Sequence, residues 1–416
     1  MCSFLSLYLS SCNPPDLATM SASAIDSLLK SATESSETGA HDTHGVIFTA
    51  ANLKKNFSYA KASGATTLSA QSTALTEDAV CFVASMTKLM TTIAAMQVVE
   101  RGLIGLDDDV SDVLHEWKDA EILEGFGEDG KPILRRAKNK ITLRLLLSHS
   151  SGIGYDVIEP KLIQWRQTVG ELPGTFSGSI DAGFKYPLVY DPGEGWCYGG
   201  GLDWAGRLVE RLNDNMRLGE YMEKNIWRPL GMTSTTFNIA ADEALKQRLM
   251  GMSARTPAGG LVPLLDPVYA TPAQDDCGGI GSYSTAPDYM KVVTALLQAD
   301  ERILKKSSID EMFKPQLTSP KYLEEVIKVP ELRSVLAGNF PAGLKVNFGL
   351  GGMLNMEPLS TGRLTGSMQW GGMPNLFWWV DRESGVCGTY FSQVMPTGDQ
   401  KSLDVFTKLE SEVYKV

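Results

Sequence analysis

Histidine is scarce in this 416-residue chain, with four residues at 41, 44, 115 and 149. None lies in an H-E-x-x-H pattern or beside a cysteine cluster, so the usual zinc ligand sets are missing and no metal is expected. The six cysteines, Cys2, Cys12, Cys81, Cys197, Cys277 and Cys387, form no C-x-x-C pair and are spread over the whole length. A disulfide framework belongs to short, cysteine-dense secreted chains, so free thiols in a reducing, cytoplasmic setting are expected instead. No P-loop is present, and no G-x-G-x-x-G joins a strand to a helix, so no cofactor is implied. A G-x-S-x-G elbow is also missing, which removes the α/β-hydrolase reading at its first step. The net charge of −11 comes without a basic stripe, and that excludes a nucleic-acid binder. No run approaches 18 apolar residues, so no membrane span is expected. Phe4 to Leu9 is apolar, but no Lys or Arg precedes Lys30, and a secretory signal needs a positive start. Residues 1–19, in which Pro14-Pro15 breaks any helix, read as a disordered leader.

What is present has ordinary globular composition, 43% apolar and 21% charged, with ample material for a core. Apolar spacing predicts a first helix over residues 21–31 and a strand over 45–50, followed by a short apolar run at 79–83. From Ser85 the period becomes helical, with Leu89, Ile93, Met96, Val99 and Leu103 on one face and Gly102 and Gly105 as a stop. Further helices are expected at 141–148, 202–212 and 217–227. The stretch 151–200, rich in Gly, Pro and aromatics, reads as a long pocket-shaping loop. Strands are expected at 347–353, 376–381 and 386–392, the last two flanking a hairpin turn at Arg382–Gly385, with a closing helix over 404–414. Strands at both ends and helices between them give an α/β (α+β) fold. Residues 20–85 with 275–416 form a sheet domain, residues 86–274 form a mainly helical domain, and the active site is expected between them.

The spacing Ser-x-x-Lys occurs three times, at Ser27–Lys30, Ser58–Lys61 and Ser85–Lys88. On a helix it puts both side chains on one face, one turn apart. The plain alternative for each is a solvated surface pair. Ser27 lies mid-helix, and Ser58 follows a polar stretch. Only Ser85 sits where a short apolar strand runs into a helix, whose first turn offers free N–H groups and positive potential. There a buried lysine can take the serine's proton, a Ser–Lys variant of nucleophilic catalysis. His149, before the turn at Gly152, reads as a structural hydrogen-bonder.

Three further segments share the chain with Ala84-Ser85-Met86-Thr87-Lys88. They are Lys140 to Gly152, Asp191 to Gly206 with Tyr198 at its centre, and Gly366 to Asn375 with Trp370-Gly371-Gly372-Met373. In this order and spacing they resemble the serine β-lactamase-related esterases and transesterases, the group that includes class C β-lactamases and family VIII carboxylesterases. Within it the likeness is greatest to fungal side-chain acyltransferases, and it covers roughly residues 45–415. The resemblance implies the penicillin-recognising fold, an antiparallel sheet flanked by helices with an inserted all-α part. It implies Ser85 as nucleophile, Lys88 as its partner and Tyr198 as the proton carrier. The backbone N–H groups of Ser85 and Met373 would form the oxyanion hole. Trp370, Gly371, Gly372, Tyr155 and Trp196 are the expected substrate-binding residues; Trp196, Trp204 and Tyr190 read one by one as packed loop aromatics, and the region around them is expected to hold a hydrophobic acceptor.

Two departures from the family pattern bear on the substrate. Gly200 stands where an amide-binding Asn is common, and Trp370 where a carboxylate-binding Lys is common. Both point away from β-lactams and toward esters or thioesters. The expected activity is transfer of a small acyl group from a thioester or ester to an alcohol of a polyketide-type acceptor. The donor would be a soluble thioester or one carried on an acyl carrier protein or polyketide synthase. The alternative is a carboxylesterase. A β-lactamase or a catalytically inactive binding homologue fits less well, because Ser85, Lys88 and Tyr198 are all present.

Overall fold

Aromatic and β-branched residues near both ends of the chain meet in one seven-stranded antiparallel sheet. The computed structural model describes residues 17–34 and 42–416. The strand order is Phe57–Gly64, Gly45–Asn52, Val386–Phe391, Leu376–Asp381, Met368–Gly372, Met353–Asn355 and Val346–Phe348. Side chains alternate between the faces of a strand. Thus Trp378 and Trp379, both fully buried, belong to different cores. Trp379 faces the N-terminal helix Leu17–Thr33 and the C-terminal helix Gln400–Val413, where Ile25, Leu29, Phe406 and Leu409 close over it. Trp378 belongs to the larger core, which also takes in the helix Ala286–Gln298 and the helical part of the chain. That part includes the helices Thr87–Glu100 and Gly201–Arg211, packed on one another.

Several expectations need correction. The N-terminal helix starts at Leu17, inside the stretch read as leader, and residues 1–16 lie outside the described residues. The helix after Ser85 is not one-faced: every residue from Thr87 to Val98 is buried, while Leu103 lies beyond it and is exposed. It runs through the interior, where all sides meet protein, so its apolar period understated its burial. The stretch 151–200 carries two helices, Pro160–Thr168 and Ile180–Phe184, each started by a side-chain cap, from Glu159 and from Ser179. The strand expected over 347–353 is two strands joined through Gly349–Gly352. Two small hairpins, Glu121–Phe126 with Pro132–Arg136 and Met252–Arg255 with Leu261–Leu264, were not foreseen within the helical part. Among the described residues, no helix is long and apolar enough to cross a membrane.

Candidate active site

Ser85 is placed by a strained turn. The strand Val80–Phe82 pairs with Tyr283–Thr285, and the chain then passes through Ala84 at φ 45° before the helix begins. A non-glycine residue in the left-handed region costs of order 1–3 kcal/mol and persists only where its surroundings enforce it. Here the Thr87 hydroxyl donates to the Ala84 carbonyl at 2.6 Å, and the Met86 N–H donates to the Val83 carbonyl at 3.0 Å.

Two side chains converge on the Ser85 hydroxyl. Lys88 Nζ lies 3.1 Å from Oγ and the Tyr198 hydroxyl 2.5 Å from it. Lys88 is 1% exposed. Its Nζ also donates to the Tyr155 hydroxyl at 3.0 Å and to the Gly279 carbonyl at 2.6 Å, and it sits 4.6 Å from the centre of the Tyr198 ring. The other pairs with this spacing do not form sites: Ser27 and Lys30 are exposed on the first helix, and Ser58 and Lys61 are exposed on an edge strand.

The lysine is held from behind by a carboxylate. Gly279 accepts from Lys88 through its carbonyl and donates its N–H to Asp203 Oδ1 at 2.8 Å. A Cβ on Gly279 would lie 2.2 Å from Asp203 Oδ2, so only glycine fits between the two. Asp203 is fully buried, and burial pushes its carboxyl up to about 6 against the opposing pull of the Lys88 charge and the Gly279 N–H. The Tyr155 hydroxyl is close to this carboxylate, yet Asp203 Oδ2 has no hydrogen-bond partner. Burial likewise raises the Tyr155 phenol well above its usual range.

His149 lies against Tyr198, ring centres 4.9 Å apart. Its Nδ1 faces the Gly199 N–H at 3.4 Å. Burial, reinforced by the Lys88 charge, pushes the imidazole well below its usual range, so the ring is neutral and its Nδ1 can accept that bond. The tyrosine segment is clamped from the other side. The Tyr155 N–H donates to the Tyr198 carbonyl at 3.1 Å, and a Cβ on Gly199 would fall 2.0 Å from the Ile153 carbonyl oxygen. At Gly200 a Cβ would lie 2.7 Å from the Phe184 ring. Phe184 therefore leaves no room for a side chain at Gly200.

The strand Met368–Gly372 closes the site. A Cβ on Gly372 would meet the Val83 carbonyl oxygen at 2.4 Å, so a glycine is needed for this strand to reach the turn carrying Ser85. Met373 follows at the wall of a cavity of about 380 Å³ that opens on Ser85 and Tyr198. Trp370, Gly371, Gly372 and Tyr155 also line it, with Val157, Ile158, Phe176 and Phe377 making it apolar. Among the described residues, no charged residue lines it.

Trp196, Trp204 and Tyr190 take the packed positions of loop aromatics and do not line this cavity. Trp196 is 5% exposed, packs on His149 and Phe348, and does not line the cavity. Trp204 is fully buried, its N–H on the Phe184 carbonyl at 2.9 Å and its ring edge-on to Trp117. The Tyr190 hydroxyl is turned onto the His149 carbonyl at 3.2 Å. The helix Ile180–Phe184 supplies the partner of Trp204, while Trp196 and Tyr190 are held against His149. Tyr155 does line the cavity, but its hydroxyl is spent on Lys88. Asp203 and Gly279 were missed. Asp203 stands five residues after Tyr198 in a segment already singled out, and a carboxylate in the first turn of an otherwise apolar-faced helix was the available signal.

A lysine and a tyrosine converging on one hydroxyl at a helix start, beside a glycine-paved strand and an uncharged cavity, define a serine enzyme built to form an acyl intermediate. Known proteins agree with this class. The model of the family described as "Beta-lactamase" matches residues 49–410. Monacolin J acid methylbutanoyltransferase of Aspergillus terreus is 35% identical over 379 residues, which is 89% of this chain and 91% of that protein. Lovastatin esterase of Penicillium rubens is 34% identical over 387 residues, 89% of this chain and 94% of that one. The solved structure of a mutant simvastatin synthase from Aspergillus terreus superposes with a TM-score of 0.87 at 33% identity, covering 97% of this chain and 98% of its own. The chain belongs to the β-lactamase family, and it is an acyltransferase or ester hydrolase of that family.

Proposed function

We propose that this enzyme moves a small, branched acyl group from a thioester or ester to an alcohol of a polyketide-type acceptor through an acyl-Ser85 intermediate. The observation that carries the reading is the convergence of Lys88 and Tyr198 on Ser85 Oγ at the mouth of an uncharged cavity. Ser85 Oγ attacks the acyl carbon while its proton passes to the Lys88–Tyr198 pair. The N–H groups of Ser85 and Met373 hold the oxyanion. The thiol or alcohol departs with that proton, leaving the ester on Ser85. The acceptor hydroxyl then gives its proton to Tyr198 and attacks the same carbon, and Ser85 regains a proton as the new ester leaves. An apolar acceptor held in the cavity has a high effective concentration against water. The division of the chain into residues 20–85 with 275–416 and residues 86–274 would put this chemistry on the seam, with Tyr198 from one part and Met373 from the other.

The relatives named for methylbutanoyl transfer support the transferase reading and the nature of the cargo. A donor on an acyl carrier protein or polyketide synthase, or a soluble thioester, would suit the same site. The relative named as an esterase, equally similar, favours hydrolysis as the second reading. A β-lactam is disfavoured, since its carboxylate would meet no cation among the lining residues, and an unpaired buried polar group costs roughly 1–3 kcal/mol. Cys81, Cys197, Cys277 and Cys387 are free thiols, which supports a cytoplasmic setting. The test is intact mass spectrometry after exposure to a panel of acyl thioesters, then product analysis with and without a polyketide alcohol. An acyl adduct that becomes a new ester is expected. Free acid as the dominant product across a broad set of alcohols would make the protein a hydrolase, and rapid nitrocefin turnover would overturn the ester preference.

A further inference from the structure

One wall of the cavity comes from a segment far from the nucleophile in sequence. The helices Lys321–Lys328 and Pro330–Leu336 lead into Val335, Leu336, Ala337 and Gly338, all of which line the cavity. None of these side chains can hydrogen-bond to the sheet. The wall is tied down instead by backbone and by one amide. Gln369 Nε2 donates to the Ala337 carbonyl at 2.6 Å, and Gly338 follows at φ 58°, where the chain turns away.

Gln369 is itself held by a buried ion pair. Its Oε1 accepts from Arg363 Nη1 at 2.5 Å. Arg363 and Glu410 are both 0% exposed and meet through Nε–Oε1 at 2.7 Å and Nη2–Oε2 at 2.6 Å. Glu410, on the C-terminal helix, also accepts from Thr361 Oγ1 at 2.6 Å and from Asn339 Nδ2 at 2.7 Å, just beyond the wall. At this depth each polar atom needs a partner, and a bidentate arginine pair is a rigid one. The Gln369 amide thus has one orientation, oxygen to Arg363 and nitrogen to Ala337.

We infer that Gln369 is a positioning residue that fixes the 335–338 wall of the cavity, anchored by Arg363–Glu410, and so sets the size of the group that Ser85 can serve. Without the amide nitrogen, the Ala337 carbonyl keeps only the local Phe340 N–H at 3.1 Å, and the wall loses its side-chain tie to the strand Met368–Gly372 and is free to shift. The Ser85, Lys88 and Tyr198 atoms sit on other elements and stay where they are. The inference about size rests on the reading of Ser85 as the acylated residue, whereas the tether itself does not.

Two variants test it. Gln369→Leu removes both bonds of the amide. Gln369→Glu keeps an acceptor for Arg363 and loses the donor to Ala337. Rates with p-nitrophenyl esters from acetyl to long or bulky acyl groups are measured alongside amide exchange of the whole chain. Both variants are expected to keep kcat for the acetyl ester within about twofold and to relax discrimination between short branched and bulky esters by about tenfold, through KM. Exchange in residues 333–340 is expected to rise, with residues 83–92 unchanged. An equal loss on every ester would reduce Gln369 to general stability and overturn the proposal. Wild-type exchange in 333–340 for Gln369→Glu would show that the Ala337 bond is no tether. If the unaltered enzyme turns over none of the esters, the acyl-Ser85 reading falls, and the exchange pattern alone then decides the wall.

Discussion

Lys88 with Asp203 at the nucleophile, and Arg363 with Glu410 behind the cavity wall, are two pairs of opposite charges taken out of water, and the protein treats them differently. Arg363 and Glu410 meet face to face, and Thr361, Asn339 and Gln369 satisfy the rest of their polar atoms. Lys88 and Asp203 make no direct bond and are joined through the two ends of Gly279, and Asp203 Oδ2 and the nearby His149 Nε2 have no hydrogen-bond partner among the described residues. Two of the seven non-glycine residues at positive φ among the described residues lie on this side, Ala84 with φ 45° and His149 with φ 58°. Charges that only hold structure are bonded throughout, because an unpaired buried charge is costly. Around Ser85, Lys88 spends its three donors on Ser85, Tyr155 and Gly279, and it is the carboxylate behind it that is left short of a partner. Stability is given up where chemistry is done.

The contrast is broken most sharply at the nucleophile. Ser85→Ala should abolish the acyl adduct and lower turnover by roughly 10⁴-fold or more, and Tyr198→Phe by roughly 10²–10⁴-fold, with little change in melting temperature. Intact mass and calorimetry on the same samples check this, and a persistent adduct on the Ala variant would move the nucleophile elsewhere. Behind the wall the pattern should invert. Glu410→Ala leaves the Arg363 charge buried and unpaired, and should cost about 3–5 kcal/mol of stability while acetyl-ester turnover per folded molecule stays within about threefold. Denaturant unfolding decides it; a loss below about 1 kcal/mol would put that pair among ordinary surface bridges.

Asp203 gives the smallest effect and the finest distinction. Its carboxyl is raised from 3.8 to about 6 by burial, so the fold prefers it protonated. That preference is fully present below about pH 4 and is lost as the pH rises through about 6. Above that the charged carboxylate weighs against folding by at most about 3 kcal/mol. Asp203→Asn, which keeps an oxygen for the Gly279 N–H, should therefore gain stability relative to the unaltered enzyme between pH 4 and pH 8. A stability difference that stays flat over this range would mean that the Asp203 charge is fully compensated.

Local pattern was enough for some elements and misleading for others. The hairpin across Arg382–Gly385 and the closing helix were legible because turn chemistry and apolar period are local properties. Ser85 could be told from Ser27 and Ser58 by its place between a strand and a helix, and of the three lysines only Lys88 is buried. Trp196, Trp204 and Tyr190 carried two readings, packed rings or an acceptor wall, because a glycine-rich, aromatic stretch looks the same whether its rings face a ligand or a core. Contacts with His149, Phe348 and Phe184 put them in packed positions.

The sequence by itself determined the order of the chemistry-bearing segments, the Ser-x-x-Lys turn, the tyrosine among its glycines and the glycine pair at 371 and 372. These follow from spacing and backbone freedom. Only the tertiary structure decided that Asp203 stands behind Lys88 through Gly279, that Phe184 packs against Gly200, and that Gln369 bonds the Ala337 carbonyl. Each depends on contacts between residues that are distant in the chain, and no local propensity encodes which distant groups will share a buried space.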